Sequence, residues 1–175
     1  MIGALAAWAA ERAAGSRCVV LIDGRSGAGK STLAVLLSER LAQDLGRPVQ
    51  VVSLDDCYPG WDGLAAGAAM VPGMLGASPH YRRYDWALGR PANLVTIDAD
   101  SPLVIEGCGA LTAQSAPLAS LRIWLDAPEQ ARLQAVERRD GAANAWWANW
   151  AAQEQAHIAA HDPAGLADVR LEMML

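Results

Sequence analysis

The sequence GRSGAGKST, residues Gly24–Thr32, constrains this chain more than any other stretch. From Gly24 to Ser31 it fits G-x-x-x-x-G-K-[ST], the pattern of the phosphate-binding loop or Walker A motif. The apolar run Cys18–Asp23 before it predicts a buried strand, and Leu33–Leu45 after it predicts an amphipathic helix. This order of strand, loop and helix favours a phosphate-binding loop over an ordinary glycine-rich turn.

The residue types of the loop explain its predicted chemistry. Glycines let the backbone approach a phosphate, and successive N–H groups form one anion site at the start of the helix. Lys30 is the only lysine among 14 basic residues, and its compact ammonium suits the β- and γ-phosphates better than the planar fork of an arginine. The Ser31 hydroxyl is predicted to hold Mg²⁺. The predicted nucleotide-binding residues are Gly24, Arg25, Ser26, Gly27, Ala28, Gly29, Lys30, Ser31 and Thr32.

Composition excludes several classes of protein. The 175 residues are 53% hydrophobic with a net charge of -5, so we expect a folded domain and not a general nucleic-acid binder, which would be basic. No apolar run reaches the ~18 residues of a membrane span, and the N-terminus lacks the basic start of a signal peptide. The three cysteines show no C-x-x-C spacing, which favours reduced thiols and a cytoplasmic location.

The spacing of apolar runs predicts an α/β fold. We expect a P-loop NTPase three-layer sandwich: a five-stranded, mainly parallel sheet with helices on both faces and a small lid. Residues 1–175 are expected to form a single kinase domain, with lid and substrate segments at about 56–92 and 132–150. The further predicted strands are Val49–Leu54, Leu103–Glu106, Leu121–Asp126 and Asp168–Glu172, with a short extra strand at Leu94–Ile97. The further predicted helices are Met1–Ala14, part of Leu64–Ala77, one opening near Pro128, and Ala142–Ala160.

Acidic residues stand at the ends of two predicted strands. Asp55 and Asp56 follow Val49–Leu54, and Glu106 ends its own strand. Because ligands of parallel sheets bind at the carboxyl ends of strands, Asp55 is expected near the loop. There it can accept a proton from an attacking hydroxyl, while Glu106 can hold Mg²⁺ through water. The alternatives are that Asp55 or Asp56 caps the next helix and that Glu106 is a structural acid.

Three further clusters permit more than one interpretation. The segment His80–Trp86 can grip a planar, hydroxylated substrate or pack its aromatic rings inward. Arginines that begin at Arg132 can stabilise a transferring phosphoryl group or lie at a solvated helix end. Trp146 and Trp150, four residues apart, favour core packing over a stacking platform. Capping and surface contacts are favoured over a metal site for Glu154, His157 and His161.

With these residues the chain resembles the uridine kinase and nucleoside kinase branch of the phosphate-loop kinases over most of its length. The segments that carry the resemblance are Asp23–Thr32, Ser53–Tyr58, Tyr84–Trp86, Ile105–Gly107 and Arg138–Asp140. It implies that Asp55 is the base for a sugar hydroxyl and that Tyr58 contacts the nucleoside. It also implies that Asp85, beside Tyr84, binds ribose hydroxyls.

The same resemblance implies that Glu106 helps to hold Mg²⁺ and that the lid arginines Arg132 and Arg139 approach the phosphates, with Arg138 as their neighbour. This sequence departs from the family pattern at three places. Cys57 replaces the usual phenylalanine, Ala135 stands where uridine kinases tend to have an arginine, and the hairpin that closes over the base is expected to be shortened.

The expected function is therefore ATP- and Mg²⁺-dependent phosphoryl transfer to a hydroxyl of a small molecule, with uridine or cytidine as the leading acceptor. One alternative is a kinase for a sugar acid, a vitamin precursor or an antibiotic. Another is an ATP-binding regulatory module without an acceptor. A GTPase of the usual kind is excluded, because its N-K-x-D motif needs a lysine outside the loop and Lys30 is the only lysine.

Overall fold

The computed structural model describes residues 1–141 and 146–172. The elements in chain order are α1 Ile2–Ala13, β1 Val19–Gly24, α2 Lys30–Leu45, β2 Gln50–Ser53, α3 Leu64–Met74, β3 His80–Asp85, β4 Arg90–Thr96, β5 Leu103–Glu106, β6 Leu121–Asp126, α4 Glu129–Asp140, α5 Trp147–His161, α6 Pro163–Leu166 and β7 Val169–Glu172. Five strands form one parallel sheet in the order β2-β5-β1-β6-β7. The predicted α/β architecture is confirmed.

The sheet separates two hydrophobic cores, and this produces the three layers. In β1 every residue is buried, and successive side chains point to opposite faces. Val20 and Ile22 pack with α1 and α2, whereas Val19 and Leu21 pack with α3 and with Trp150 of α5. A central strand covered on both faces is continuously apolar, which explains the run seen in the sequence.

The antiparallel hairpin of β3 and β4 corrects the sequence analysis. We expected a shortened hairpin with one short strand at Leu94–Ile97, but the two strands pair from His80 with Thr96 to Asp85 with Arg90. Most residues of both strands are exposed or half-buried, so the apolar alternation of a half-buried strand is absent from them. Pro91 also weakens a strand prediction, although an edge strand tolerates it.

The helix predicted at Ala142–Ala160 is found as α5, Trp147–His161. The beginning of the predicted segment, residues 142–145, lies outside the described residues. Among the helices that the structure describes, none is both long and apolar enough to cross a membrane.

Candidate active site at the carboxyl edge of the sheet

The phosphate loop, Gly24–Thr32, joins the end of β1 to the start of α2. Gly27 has φ +81°, and a Cβ there would lie 2.3 Å from the carbonyl oxygen of Arg132. A Cβ at Gly24 would lie 2.1 Å from the carbonyl oxygen of Leu125. Both positions therefore require glycine, because other residues would clash with backbone atoms of neighbouring elements. The N-terminus of α2 follows Gly29, which has no side chain to cap the first N–H groups.

Lys30 lies under the loop with its side chain almost completely buried. Its ammonium donates to the carbonyl oxygen of Arg25 at 3.1 Å and approaches Cys108 Sγ at 3.5 Å. Burial lowers the pKa of Lys30, but Cys108 and the carboxylates of Glu106, Asp55 and Glu154 outweigh it, so the pKa is raised. The ammonium therefore stays charged in the site.

Glu106 ends β5 next to the loop, and only 3% of its surface is exposed. Its Oε1 accepts hydrogen bonds from the Ser31 hydroxyl at 3.0 Å and from the Ser53 hydroxyl at 2.6 Å. The pairing of Ser53 with Glu106 between β2 and β5 produces the second contact. Hydroxyl and carboxylate oxygens form a donor set that suits Mg²⁺, and Ser31 and Glu106 are the residues that would hold it.

A cavity of about 200 Å³, which we call the loop cavity, opens over the phosphate loop. Its lining includes Lys30, Ser31, Glu106, Asp55 and Arg139. The sheet thus brings together residues from three strand ends and from the end of α4. Most of its lining residues belong to the phosphate loop or carry polar side chains, which suits a site for phosphates.

A second cavity of about 410 Å³ adjoins it, and we call this the tryptophan cavity. Its lining residues are Ser26, Asp55, Tyr58, Trp61, Trp86, Arg139, Asp140, Trp146 and Trp150. The side chains of Trp61 and Trp146 stack with an interplanar angle of 13° and a centroid distance of 4.9 Å. Large aromatic walls with a few polar groups are typical of a small-molecule site.

Two amides of α5 hold Trp61 in the wall of this cavity. Asn149 Nδ2 and Gln153 Nε2 both donate to the carbonyl oxygen of Trp61, at 3.2 and 2.6 Å. Gln153 Oε1 accepts the N–H of Leu64, the first residue of α3. The wall is therefore fixed by tertiary contacts between segments that are distant in sequence.

Asp55 lies where the two cavities meet, and its side chain is exposed to both. Its backbone carbonyl accepts the indole N–H of Trp86 at 2.8 Å, which ties the β3–β4 hairpin to this residue. Neither Asp55 nor Asp56 caps α3, since Gly63 is the N-cap. Asp56 instead pairs with Arg83 of the hairpin at 3.2 Å.

The other predicted substrate residues take different positions. The Tyr58 ring lines the tryptophan cavity, but its hydroxyl donates to the carbonyl oxygen of Cys108 at 2.8 Å. Burial holds the pKa of Tyr58 well above its usual range. Tyr84 packs edge-on against Trp86 behind the wall, and Asp85 Oδ1 accepts the N–H of Leu88 in the hairpin turn. Ribose contact by Asp85 stays a prediction.

Comparison with known proteins finds similarity at the level of structure. No protein-family model matches the sequence, and no curated protein matches it. A possible uridine kinase from Bacillus stearothermophilus superposes with a TM-score of 0.60 at 24% identity, covering 89% of this chain and 88% of that one. A protein from Silicibacter sp. TM1040, provisionally assigned as a fructose transport system kinase, gives 0.63 at 19% identity with 98% of each chain covered. The chain has a uridine-kinase-like P-loop kinase fold.

The two arginines predicted to belong to a lid, Arg132 and Arg139, occupy different places. Arg139, at the end of α4, lines both cavities, and its guanidinium pairs with Asp140 at 2.7 Å. That hydrogen bond raises the pKa of Arg139, with Asp55 and Glu106 contributing. Arg132 is 1% exposed and donates to the carbonyl oxygens of Ala127 and Ser26. Its predicted approach to the phosphates stays a prediction.

The sequence analysis did not predict that three tryptophans line the candidate site. Trp61 received no role. The favoured core packing is confirmed, since Trp150 is buried in the core and Trp146 packs against it. All three side chains also line the tryptophan cavity, which was not predicted. The signal available was the concentration of tryptophans near the acidic segment after β2 and in α5.

The predicted surface position of Glu154 is wrong, because its side chain is buried against the phosphate loop. Among the described residues, no three His, Cys, Asp or Glu side chains are grouped so that they could hold a metal ion.

Proposed function

We propose that the protein is an ATP- and Mg²⁺-dependent kinase that transfers the γ-phosphoryl group to a hydroxyl of a small molecule. The observation that carries this proposal is the position of Asp55, which lines the loop cavity and the tryptophan cavity at once. A kinase needs a phosphate site, an acceptor site and a base between them. As part of the proposal, residues 1–175 form one kinase domain.

In the proposed reaction, the Asp55 carboxylate accepts the proton of the acceptor hydroxyl as the hydroxyl oxygen forms a bond to the γ-phosphorus. The bond from that phosphorus to the β–γ bridging oxygen breaks, and ADP leaves with the oxygen. The phosphate loop holds the phosphates, and the charged Lys30 neutralises their oxygens. Mg²⁺, when bound beside Ser31 and Glu106, supplies further neutralisation of the phosphate charge.

Arg139 is the lid residue that we propose to act on the transferring group. It lines both cavities, and its guanidinium carries a charge that can spread over the phosphoryl oxygens. To reach them, the side chain exchanges its contact with Asp140 for the phosphate. Ala135 lies one turn before Arg139 on α4 and also lines the loop cavity. Because Ala135 is uncharged, this neighbouring position adds no second positive charge beside Arg139.

A nucleoside such as uridine or cytidine is the proposed acceptor. The tryptophan cavity offers wide aromatic surfaces, and stacking of one base on an aromatic side chain contributes about 1–3 kcal/mol. The structural neighbour named as a possible uridine kinase supports this class, whereas the one assigned as a fructose transport system kinase supports a sugar as the alternative. A cytoplasmic location fits the proposal, since the three cysteines are free and buried.

A panel of acceptors tests the proposal. Purified protein with Mg-ATP is assayed for acceptor-stimulated ADP release with uridine, cytidine, adenosine, fructose and simple alcohols. Stimulation by uridine or cytidine is the expected result. Stimulation by fructose alone would keep the kinase and replace the acceptor. Tight Mg-ATP binding with no stimulation by any acceptor would contradict the kinase and favour a regulatory module.

A further inference from the structure

Glu154, on α5, is a buried carboxylate that the proposed reaction does not use. Only 3% of its surface is exposed. Its Oε1 accepts the backbone N–H of Ser26 at 2.6 Å, and its Oε2 pairs with Arg25 Nε at 3.1 Å. The Cys108 thiol also donates to Oε1 at 3.4 Å. A buried charge is costly unless its hydrogen bonds are satisfied, so these contacts define one position for the carboxylate.

The residue whose N–H Glu154 accepts is also held by α4, through its carbonyl oxygen. The Ser26 carbonyl oxygen accepts a hydrogen bond from Arg132 Nη1 at 3.2 Å. The next residue, Gly27, packs so closely on the Arg132 backbone that no Cβ fits between them. One buried acid on α5 and one buried base on α4 therefore fix both polar groups of the residue at the turn of the phosphate loop.

Ser26 stands at the boundary of the two cavities, because it lines both of them. Its position therefore affects the approach of an acceptor to a bound phosphate. The same face of α5 carries Trp150, one turn before Glu154, and Trp150 lines the tryptophan cavity. Helix α5 thus contributes Trp150 to the tryptophan cavity and Glu154 to the contact with the phosphate loop.

We propose that Glu154 is a positioning residue for phosphoryl transfer, which fixes the Ser26 peptide so that the phosphate and the acceptor meet at Asp55. This inference rests on the proposed kinase function. Its expected signature is a loss of kcat with little change in nucleotide binding, since the N–H groups at the start of α2 do not depend on Glu154. Misplacement of reacting groups by about 1 Å costs about 100-fold in rate.

Hydrogen exchange of the ligand-free protein tests the contact without any assay of activity. The Ser26 amide should be protected in the wild type and in Glu154→Gln, whose amide oxygen can still accept the N–H. The protection should be lost in Glu154→Asp, which keeps the charge but is shorter by one methylene, and in Glu154→Ala. Equal exchange at Ser26 in the wild type and Glu154→Asp would overturn the proposal.

Kinetics with Mg-ATP and uridine then test the consequence. We expect kcat to fall about 10- to 100-fold in Glu154→Asp and Glu154→Ala, and less than about tenfold in Glu154→Gln, with the dissociation constant of Mg-ADP within about threefold of the wild type. Gln155→Ala, an exposed change on the same helix, is the matched control and should behave as the wild type.

The outcomes separate the two levels of the argument. If Glu154→Asp equals or exceeds Glu154→Gln in kcat, the positioning role is wrong even though the kinase stands. If the wild type phosphorylates no acceptor, the proposed function fails, while the exchange at Ser26 still decides whether Glu154 holds the loop. If Glu154→Ala does not fold, the comparison of the aspartate and glutamine variants gives the same decision.

Discussion

The loop cavity and the tryptophan cavity share Asp55 but are built in different ways. The loop cavity is lined by one contiguous stretch of the phosphate loop, by acidic residues at strand ends and by α4, and its Lys30 and Glu106 are buried. The tryptophan cavity takes its rings from the segment after β2, the hairpin and the region around α5, and Trp61 and Trp86 are exposed. The proposed phosphate site is therefore specified by one contiguous motif, whereas the proposed acceptor site depends on contacts between segments that are distant in sequence.

The largest expected effect is on the phosphate side. Lys30→Met removes the buried ammonium, and we expect kcat/KM to fall by about 10³-fold or more because no other lysine can replace it. Steady-state kinetics with Mg-ATP and the best acceptor of the panel measures the fall, and thermal unfolding confirms that the variant is folded. A loss smaller than about tenfold would remove Lys30 from the reaction.

A change in the tryptophan cavity should affect the KM for the acceptor and not the binding of nucleotide. Trp61→Ala removes one ring of the stacked pair, and we expect the KM for the acceptor to rise about 5- to 100-fold while Mg-ADP binding is unchanged. Trp8→Ala is the matched control, since Trp8 is a partly exposed tryptophan of α1 outside both cavities. Equal effects of Trp61→Ala and Trp8→Ala would mean that the tryptophan cavity does not bind the acceptor.

A smaller effect is expected at the contact between the hairpin and Asp55. Trp86→Phe keeps an aromatic ring but removes the indole N–H that donates to the Asp55 carbonyl oxygen. The loss of one hydrogen bond should lower kcat about threefold to tenfold, with the KM for ATP unchanged. If kcat is unaffected and only the acceptor KM rises, Trp86 serves the wall of the cavity alone.

The smallest expected effect concerns the reactivity of the two buried thiols Cys57 and Cys108. Burial raises the pKa of Cys57, which precedes Tyr58 in the chain, and the pKa of Cys108, which contacts Lys30, to about 12. Both thiols therefore stay protonated near neutral pH, and iodoacetamide should label neither in the folded protein. Mass spectrometry of labelled protein, with a urea-unfolded control, measures this. Rapid labelling of Cys108 would show that the loop opens more easily than its contacts imply.

The sequence predicted the loop cavity better than the tryptophan cavity. The phosphate loop, Glu106 and the position of Asp55 were predictable, because a contiguous motif and parallel strand ends place them at one edge of the sheet. The position of Trp61 was not predictable, since it depends on hydrogen bonds from two α5 side chains that form only in the folded chain. The hairpin was misread because its strands lie outside the main sheet and bury few side chains.

Two charged residues show the limit of motif reasoning in more detail. Arg132 fits the lid pattern by sequence, but the close approach of α4 to Gly27 buries it beneath the loop. Glu154 fits a surface helix position by spacing, but α5 turns that face toward the loop, where the Ser26 N–H meets the carboxylate. Helical periodicity identifies residues that share a face, but it does not identify what that face contacts.

The kinetics of Asp55→Asn test the central claim most directly, since Asp55 is the side chain common to both cavities. The amide keeps the size of the carboxylate but cannot accept the proton, so we predict that kcat falls by about 10²- to 10⁴-fold while the dissociation constants of Mg-ADP and of the acceptor stay within a few fold. Calorimetric binding and single-turnover transfer, measured on the same protein, separate these quantities. Turnover of Asp55→Asn close to that of the wild type would contradict the account.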